Sequence, residues 1–428
     1  MPSPHAGALR TPPIPLVASL LLALAASPDT SAAQQDVLSD PRITAAMEII
    51  ERDNQWTLDQ QVSICEIPAP PFKEAARAAE LMRRLEALGL DSVRIDEEGN
   101  VIAARPGKGS GPTVMVSGHL DTVFPEETDV TVKRDGTRLI APGISDDCRG
   151  LAVLLAVARA YQQAGIETQG TVYFVGTVGE EGPGNLRGVR HLFTREFPAG
   201  AIDYFITIDG SGQNVTTAAV GSIRYRVSFL GPGGHSYGAF GMPNPIHALG
   251  RAIAKIGDVR VPDVPRTTFN VGVISGGTTV NSIPASGVLE IDMRSPSLTE
   301  LAKLEGQIRS ALESALAEEK ARWPSSDVSL EMKIDTIGIR PAAQQPDTAS
   351  IVRAALTTAR ALGFTSTPGA SSTDANFPMS LGIPAIRIGG GGSDRGTHSL
   401  DEWYDDGAEG YKGPQWAALL VATLAGVR

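Results

Sequence analysis

Cysteine is almost absent from this chain: Cys65 and Cys148 are the only two. Two thiols cannot build a disulfide framework or an all-thiolate zinc site, so any metal has to be held by histidine and carboxylates. An excess of basic charge is missing too. Lys and Arg total 37 against 48 Asp and Glu, a formal charge of -11, which argues against a non-specific grip on polyphosphate and against nucleic acid as a partner. No segment is long and apolar enough for a membrane span. The best run, Ile14 to Ala26, is about 13 residues, short of the roughly 20 that a spanning helix needs. With Arg10 before it and Ser31, Ala32 and Ala33 after it, this run reads as an export leader, residues 1–33, removed to leave a periplasmic or secreted protein without stable membrane association. An uncleaved anchor is the alternative. The composition, 42% apolar with 46 Gly and 30 Pro in 428 residues, is that of a turn-rich globular chain of two to three domains.

After the leader, apolar periodicity predicts a helix over Pro70 to Leu88 stopped by Gly89, a hairpin from SVRID and NVIAARPG, and then strands TVMVSGHLD, TVYFVGTVGEE and DYFITIDG alternating with the helix LAVLLAVARAYQQAG. Strands alternating with helices imply a mostly parallel sheet flanked by helices, an α/β catalytic domain over 34–217. Near residue 218 the rhythm changes. AVGSIRYRVSFLG reads as one long strand, NPIHALGRAIAKIG as an amphipathic helix, and Ser297 with Glu300 as a capping box opening a helix to about Trp323. About four strands and two helices make a smaller α+β sandwich inserted over 218–338, after which α/β character returns over 339–428.

The chemistry concentrates in Gly-rich turns where histidines meet carboxylates. His119 and Asp121 lie in SGHLDTVFP at the end of a buried strand, where open α/β sheets bind ligands. Residues i and i+2 of an extended segment project to one side, and a carboxylate there can fix the imidazole tautomer that leaves a nitrogen for metal. PGISDDCRG doubles an acid at Asp146 and Asp147; helix capping explains one of the pair, and a cation would relieve the repulsion between them. FVGTVGEEGPGNLRG doubles it again at Glu180 and Glu181, TIDGSG adds Asp209, and GTHSLDEWY adds His398. Two His with three or four carboxylates suit a pair of borderline divalent ions, zinc foremost, with Mn or Co as alternatives. Two such ions activate water and polarise a carbonyl, which is hydrolase chemistry. His191 and His247 sit in helical stretches without such a motif and read as packing residues, and Cys148 as a packed thiol that Cys65 could pair with in an oxidising compartment.

These five motifs, in this order, resemble the M20 metallopeptidases, which include carboxypeptidases, aminoacylases, deacylases, carnosinases and peptidase T. The resemblance implies that His119 and Asp209 hold one metal, Glu181 and His398 the other, and that Asp146 bridges both. It further implies that Asp121 orients His119, that Glu180 is the general base, and that the inserted segment is a lid through which some members form homodimers. GPGGHSYG resembles the motif whose histidine, here His235, steadies the oxyanion, often from the neighbouring subunit. NSIPASGVLEIDMRS resembles elements that make Asn281 and Arg294 contacts for the substrate's carbonyl and carboxylate; Arg suits the latter because its donor fork pairs with both oxygens. An ordinary surface ion pair is the competing reading of Arg294. Gly389 to Gly392 either let the backbone approach a carboxylate or form a turn. Asp209, where deacylase members usually carry Glu, tilts the expectation toward a peptidase of small peptides over an N-acyl amino acid deacylase or carboxypeptidase. A non-catalytic periplasmic peptide-binding protein is the alternative from another class, and Glu180 is the residue a binder has no use for.

Overall fold

The computed structural model describes residues 37–428. The leader and its anchor alternative lie outside the described residues. Among the described residues no helix is long and apolar enough to cross a membrane.

The large sheet has nine strands. Its middle is parallel: Val172–Thr177, Val114–His119, Tyr204–Ile208 and Ala385–Ile388 lie side by side in that order. The antiparallel hairpin Asp91–Ile95 and Val101–Arg105 extends one edge, and Val215–Ala219 with its partners extends the other. The strands are apolar on both faces, as a sheet covered on both sides requires. Val114, Val116, Ile206 and Ile386 face helices Cys148–Gln163, Ser350–Ala361 and Lys412–Ala425, while Met115, Phe205 and Ala385 face Val189 and Met379. The first predicted helix begins at Ala75, because Pro70 and Pro71 fall in the preceding turn.

AVGSIRYRVSFLG is not one strand. Val215–Ala219 stays in the large sheet, and Gly221–Leu230 begins a separate antiparallel sheet ordered Thr268–Gly276, Ser286–Ser295, Gly221–Leu230, Glu331–Arg340. The break falls at Gly221, where a Cβ would meet the Ala342 backbone nitrogen at 2.7 Å, so the two crossings between the sheets touch. Asn376 ties them, donating from Nδ2 to the Val220 and Pro341 carbonyls at 2.9 and 3.0 Å. One face of the smaller sheet (Tyr225, Val227, Phe229, Leu289, Ile291, Met293) packs on helices Pro245–Gly257 and Leu298–Ala321. By strand alternation Arg224, Asp292 and Arg294 point to the other, helix-free face.

A third sheet positions two loops. Arg138–Ile140 pairs with Trp403–Asp405, which pairs with Ser393–Arg395. This places the loop carrying Asp146 against the loop carrying His398, far apart in sequence. Glu402 fastens them: its carboxylate accepts from the backbone N–H of Gly143, Ser145 and Asp146 at 3.0, 2.8 and 3.1 Å.

Candidate active site

His119 ends the strand Val114–His119 and is buried. Its Nε2 lies 2.9 Å from Asp146 Oδ1, and Asp146 Oδ2 lies 3.1 Å from His398 Nε2. The same His398 nitrogen is 3.0 Å from Glu181 Oε1. Donor atoms of His119, Asp146 and Glu181 lie within 4.8 Å of one another, and Asp209 lines the same cleft of 340 Å³ beside Asp146, Glu181 and His398. One strand end and four loops therefore bring these five side chains to one place, at the carboxyl edge of the parallel strands. His398 reaches it with φ 67°, a left-handed conformation rare outside glycine.

The two doubled acids divide their labour. The Asp146–Asp147 peptide is cis. Asp147 is turned away from the cleft and fully buried, accepting from the N–H groups of His119, Gly150 and Gly210 at 2.9, 3.0 and 3.2 Å. It is the N-cap of helix Cys148–Gln163. Capping thus accounts for Asp147 and leaves Asp146 for the cleft. Likewise Glu181 faces His398, while Glu180 faces Arg340, whose Nη1 is 2.8 Å from its Oε1. Arg340 Nη2 also donates to the Glu180 carbonyl.

Asp121 orients His119 as expected, more closely through its main chain than through its carboxylate. The imidazole Nδ1 is 2.9 Å from the Asp121 main-chain carbonyl and 3.7 Å from the carboxylate. That carboxylate instead accepts from the N–H groups of Glu180 and Glu181 at 3.0 and 2.8 Å. One residue therefore sets both the ring and the two glutamates.

The electrostatics are those of a crowded acidic pit. Burial pushes Glu180 well above the ordinary carboxylate range, against the pull of Arg340. Burial and the neighbouring Asp146 raise Glu181, and burial raises Asp209 against Arg387. For Asp146 burial acts upward too, but the hydrogen bonds from His119 and His398 prevail and hold it down. Hydrogen bonds to Asp146 and Glu181 push His398 up to about 10. Buried carboxylates facing imidazole nitrogens make a donor set of nitrogen and oxygen without sulfur, which fits borderline divalent cations.

Not every expected residue is here. Arg294 lines the cleft, with Nε on Asp292, so the ion pair and the cleft position coexist. His235 and Asn281 do not: both are exposed and line a separate depression on the smaller sheet's side, where His235 Nδ1 accepts from Tyr237 and Gly238 N–H at 3.3 Å. Among the described residues nothing carries them to the acidic pit. Gly389 to Gly392 are a packed turn: Gly390 and Gly391 bond the backbone of Gly210 and Gly212, and a Cβ on Gly389 would meet the Ser211 carbonyl at 2.3 Å. They brace the loop bearing Asp209. Cys65 and Cys148 are free, buried thiols in one small apolar cluster. His191 stands 3.9 Å from Asp96 and His247 3.9 Å from Glu319, away from the cleft.

Sequence reasoning missed Arg224, Arg340, Ser371 and Ser372, which line the cleft, and Glu402 beneath it. The alternation in IRYRVSF, apolar Tyr225 and Val227 against charged Arg224 and Arg226, was the available signal for the first.

Residues 115–422 match the family model described as peptidase family M20/M25/M40. Over 353 residues the chain is 26% identical to the uncharacterized protein YqjE of Bacillus subtilis, spanning 77% of this chain and 89% of that one. Over 268 residues it is 27% identical to a succinyl-diaminopimelate desuccinylase of Leptothrix cholodnii, spanning 58% and 69%. Among solved structures, a tripeptidase of Staphylococcus aureus superposes with a TM-score of 0.69 at 22% identity, covering 87% of this chain and 97% of the other.

Proposed function

Because this chain belongs to the peptidase family M20/M25/M40, hydrolases of amide bonds, we propose that its cleft cleaves small peptides with a pair of divalent cations, zinc first among them, held by His119, Asp146, Glu181, Asp209 and His398. The observation that carries the reading is the convergence of these five side chains on one cleft together with Glu180, a carboxylate that no cation site needs. When bound, the two cations would polarise the scissile carbonyl and acidify the attacking water.

The chain's own residues then have distinct tasks. Glu180, whose burial raises its affinity for protons above that of a free carboxylate, takes the proton from the water and passes it to the leaving nitrogen. Asp121 keeps the His119 ring and the Glu180–Glu181 backbone in register. Arg294, open to the cleft, pairs with the substrate carboxylate. His235 and Asn281 sit on an exposed loop, so we assign them to the cleft of a second copy. Val273 and Ile274, exposed on the edge strand Thr268–Gly276 of the smaller sheet, offer the surface for such a homodimer. Export of the mature chain follows from the leader alone.

Peptides are favoured over N-acyl amino acids by Asp209 and by the tripeptidase likeness, whereas the desuccinylase relative favours the deacylase reading. The test is direct. Protein stripped by a chelator and reloaded with zinc is assayed against matched dipeptides, tripeptides, N-acetyl and N-succinyl amino acids. Cleavage of free-amine peptides supports the peptidase, cleavage of acylated substrates only would move the assignment to deacylase, and no turnover on any panel would sink the hydrolase reading.

A further inference from the structure

One charged side chain stands in an apolar interior strand of the large sheet. Strand Ala385–Ile388 lies between Tyr204–Ile208 and Val215–Ala219, and Ala385, Ile386 and Ile388 are fully buried. Between Ile386 and Ile388 stands Arg387, its side chain 12% exposed. A guanidinium in such a place costs desolvation that only a partner can offset.

That partner is a cation ligand. Arg387 Nη2 lies 3.9 Å from Asp209 Oδ1, and among the described residues no other carboxylate stands within 4.0 Å of the guanidinium. On its other side Nη1 donates to Asn214 Oδ1, and the buried Nε has no hydrogen-bond partner among the described residues. Gly210 leaves room for this approach: a Cβ there would stand 3.1 Å from Nη2, and its φ of 64° is the left-handed one that suits glycine. The same strand fixes the Asp209 main chain, whose N–H donates to the Ile388 carbonyl at 3.1 Å. Glu181 and Asp146 have no such neighbour; among the described residues their ion-pair partners are histidines, His398 for the first and His119 with His398 for the second.

Crowded carboxylates gain most from a cation when nothing else relieves their repulsion. Burial raises Asp209 and Arg387 opposes it, so part of that relief is already present at Asp209 and the gain left for a cation is smaller. Two positive charges then share one carboxylate and repel each other. An arginine stays charged at any working pH, which makes the competition permanent. We propose that Arg387 weakens the grip on the cation at His119 and Asp209 by competing for the Asp209 carboxylate, and so acts, through Asp209, as a positioning residue of the cation pair. The inference rests on the cation ligands of the hydrolase reading and needs no particular substrate.

Zinc binding, measured without turnover, tests it. The full chain, stripped of metal, is titrated with chelator-buffered zinc in mildly alkaline buffer, where protons compete least for the ligands. The wild type is expected to bind two ions. Arg387→Gln is expected to tighten one step by roughly tenfold or more and to leave the other within about twofold; Arg387→Lys, which keeps the charge, stays closer to wild type. A side chain that merely holds Asp209 in place predicts the opposite sign, so weaker binding in Arg387→Gln overturns the proposal, as does unchanged binding. In an Asp209→Asn background Arg387→Gln should have no effect; a gain that persists there would assign the charge to the pit at large and sink the competition at Asp209. Asn214 is exposed, and Asn214→Ala is read if Arg387→Gln does not fold. Without the Asn214 oxygen the guanidinium closes on Asp209 and the same step weakens severalfold; unchanged or tighter binding counts against. A wild type that binds no zinc would remove the cation pair and the hydrolase with it, whereas two bound ions with all variants alike would remove only the role of Arg387.

Discussion

At the scale of single residues, Glu180 and Glu181 are neighbours with opposite fates, one turned to Arg340 and one to His398. Glu180→Gln keeps the shape and removes the basicity, so kcat is expected to fall by about 10² to 10⁴ while zinc content stays at the wild-type value; turnover assays beside metal analysis check both. Asp374 makes a second, thermodynamic case. It is buried, accepts from Thr177 Oγ1 at 2.5 Å, and burial raises it to about 6 from 3.8. Between these values the native carboxyl stays protonated while the unfolded one ionises. The native state then binds more protons, and stability falls as pH rises from about 4 to about 6, by on the order of 3 kcal/mol. Thermal melts across that window should show Asp374→Asn with a flatter pH dependence than wild type; identical slopes would refute this. The metal-site residues were readable because doubled acids between glycines at strand ends are locally odd. Arg340 was not, since its partner lies 160 positions away and neither sequence neighbourhood records the pairing.

Individual elements obey local rules until tertiary contacts outbid them. Ser297 caps helix Leu298–Ala321 as the S-x-x-E pattern predicts, accepting from Glu300 N–H at 3.3 Å. The reciprocal half of the box is not formed: Ser297 N–H goes to Ser295 Oγ at 3.1 Å, and the Glu300 carboxylate goes to Lys303 at 2.6 Å. Ser297→Ala should therefore cost about 1 kcal/mol, seen as a lower urea midpoint with an unchanged slope. The parallel strands were legible from their continuous apolar runs. The division of AVGSIRYRVSFLG between two sheets was not, because alternation continues through Val220 and Gly221 and only the close approach of Ala342 marks the change. In the same way, the pairing of Arg138–Ile140 with Trp403–Asp405 is too short and too distant in sequence for a periodicity signal.

At the scale of the whole molecule, the acidic pit joins loops from both ends of the chain, so cations that bind it bind only the folded form. Chelation should lower the melting temperature, and zinc at about 1,000 times its Kd should restore about 4 kcal/mol; a melt indifferent to chelator would contradict the assigned ligand set. The alternation of strands and helices made the large sheet and the inserted one readable in advance, and the order of motifs did the same for the pit. What stayed hidden was which residues of the smaller sheet face the pit, a matter of how two bodies are oriented.

The two crossings between those bodies adjoin and are tied by Asn376, and Arg340 is the last residue before one of them. Any tilting of the smaller body must turn about that corner, like a door about its pin. Points on a pin travel least. The anchor of Glu180 therefore stays put while the far rim, with His235 and Asn281, sweeps through the largest arc.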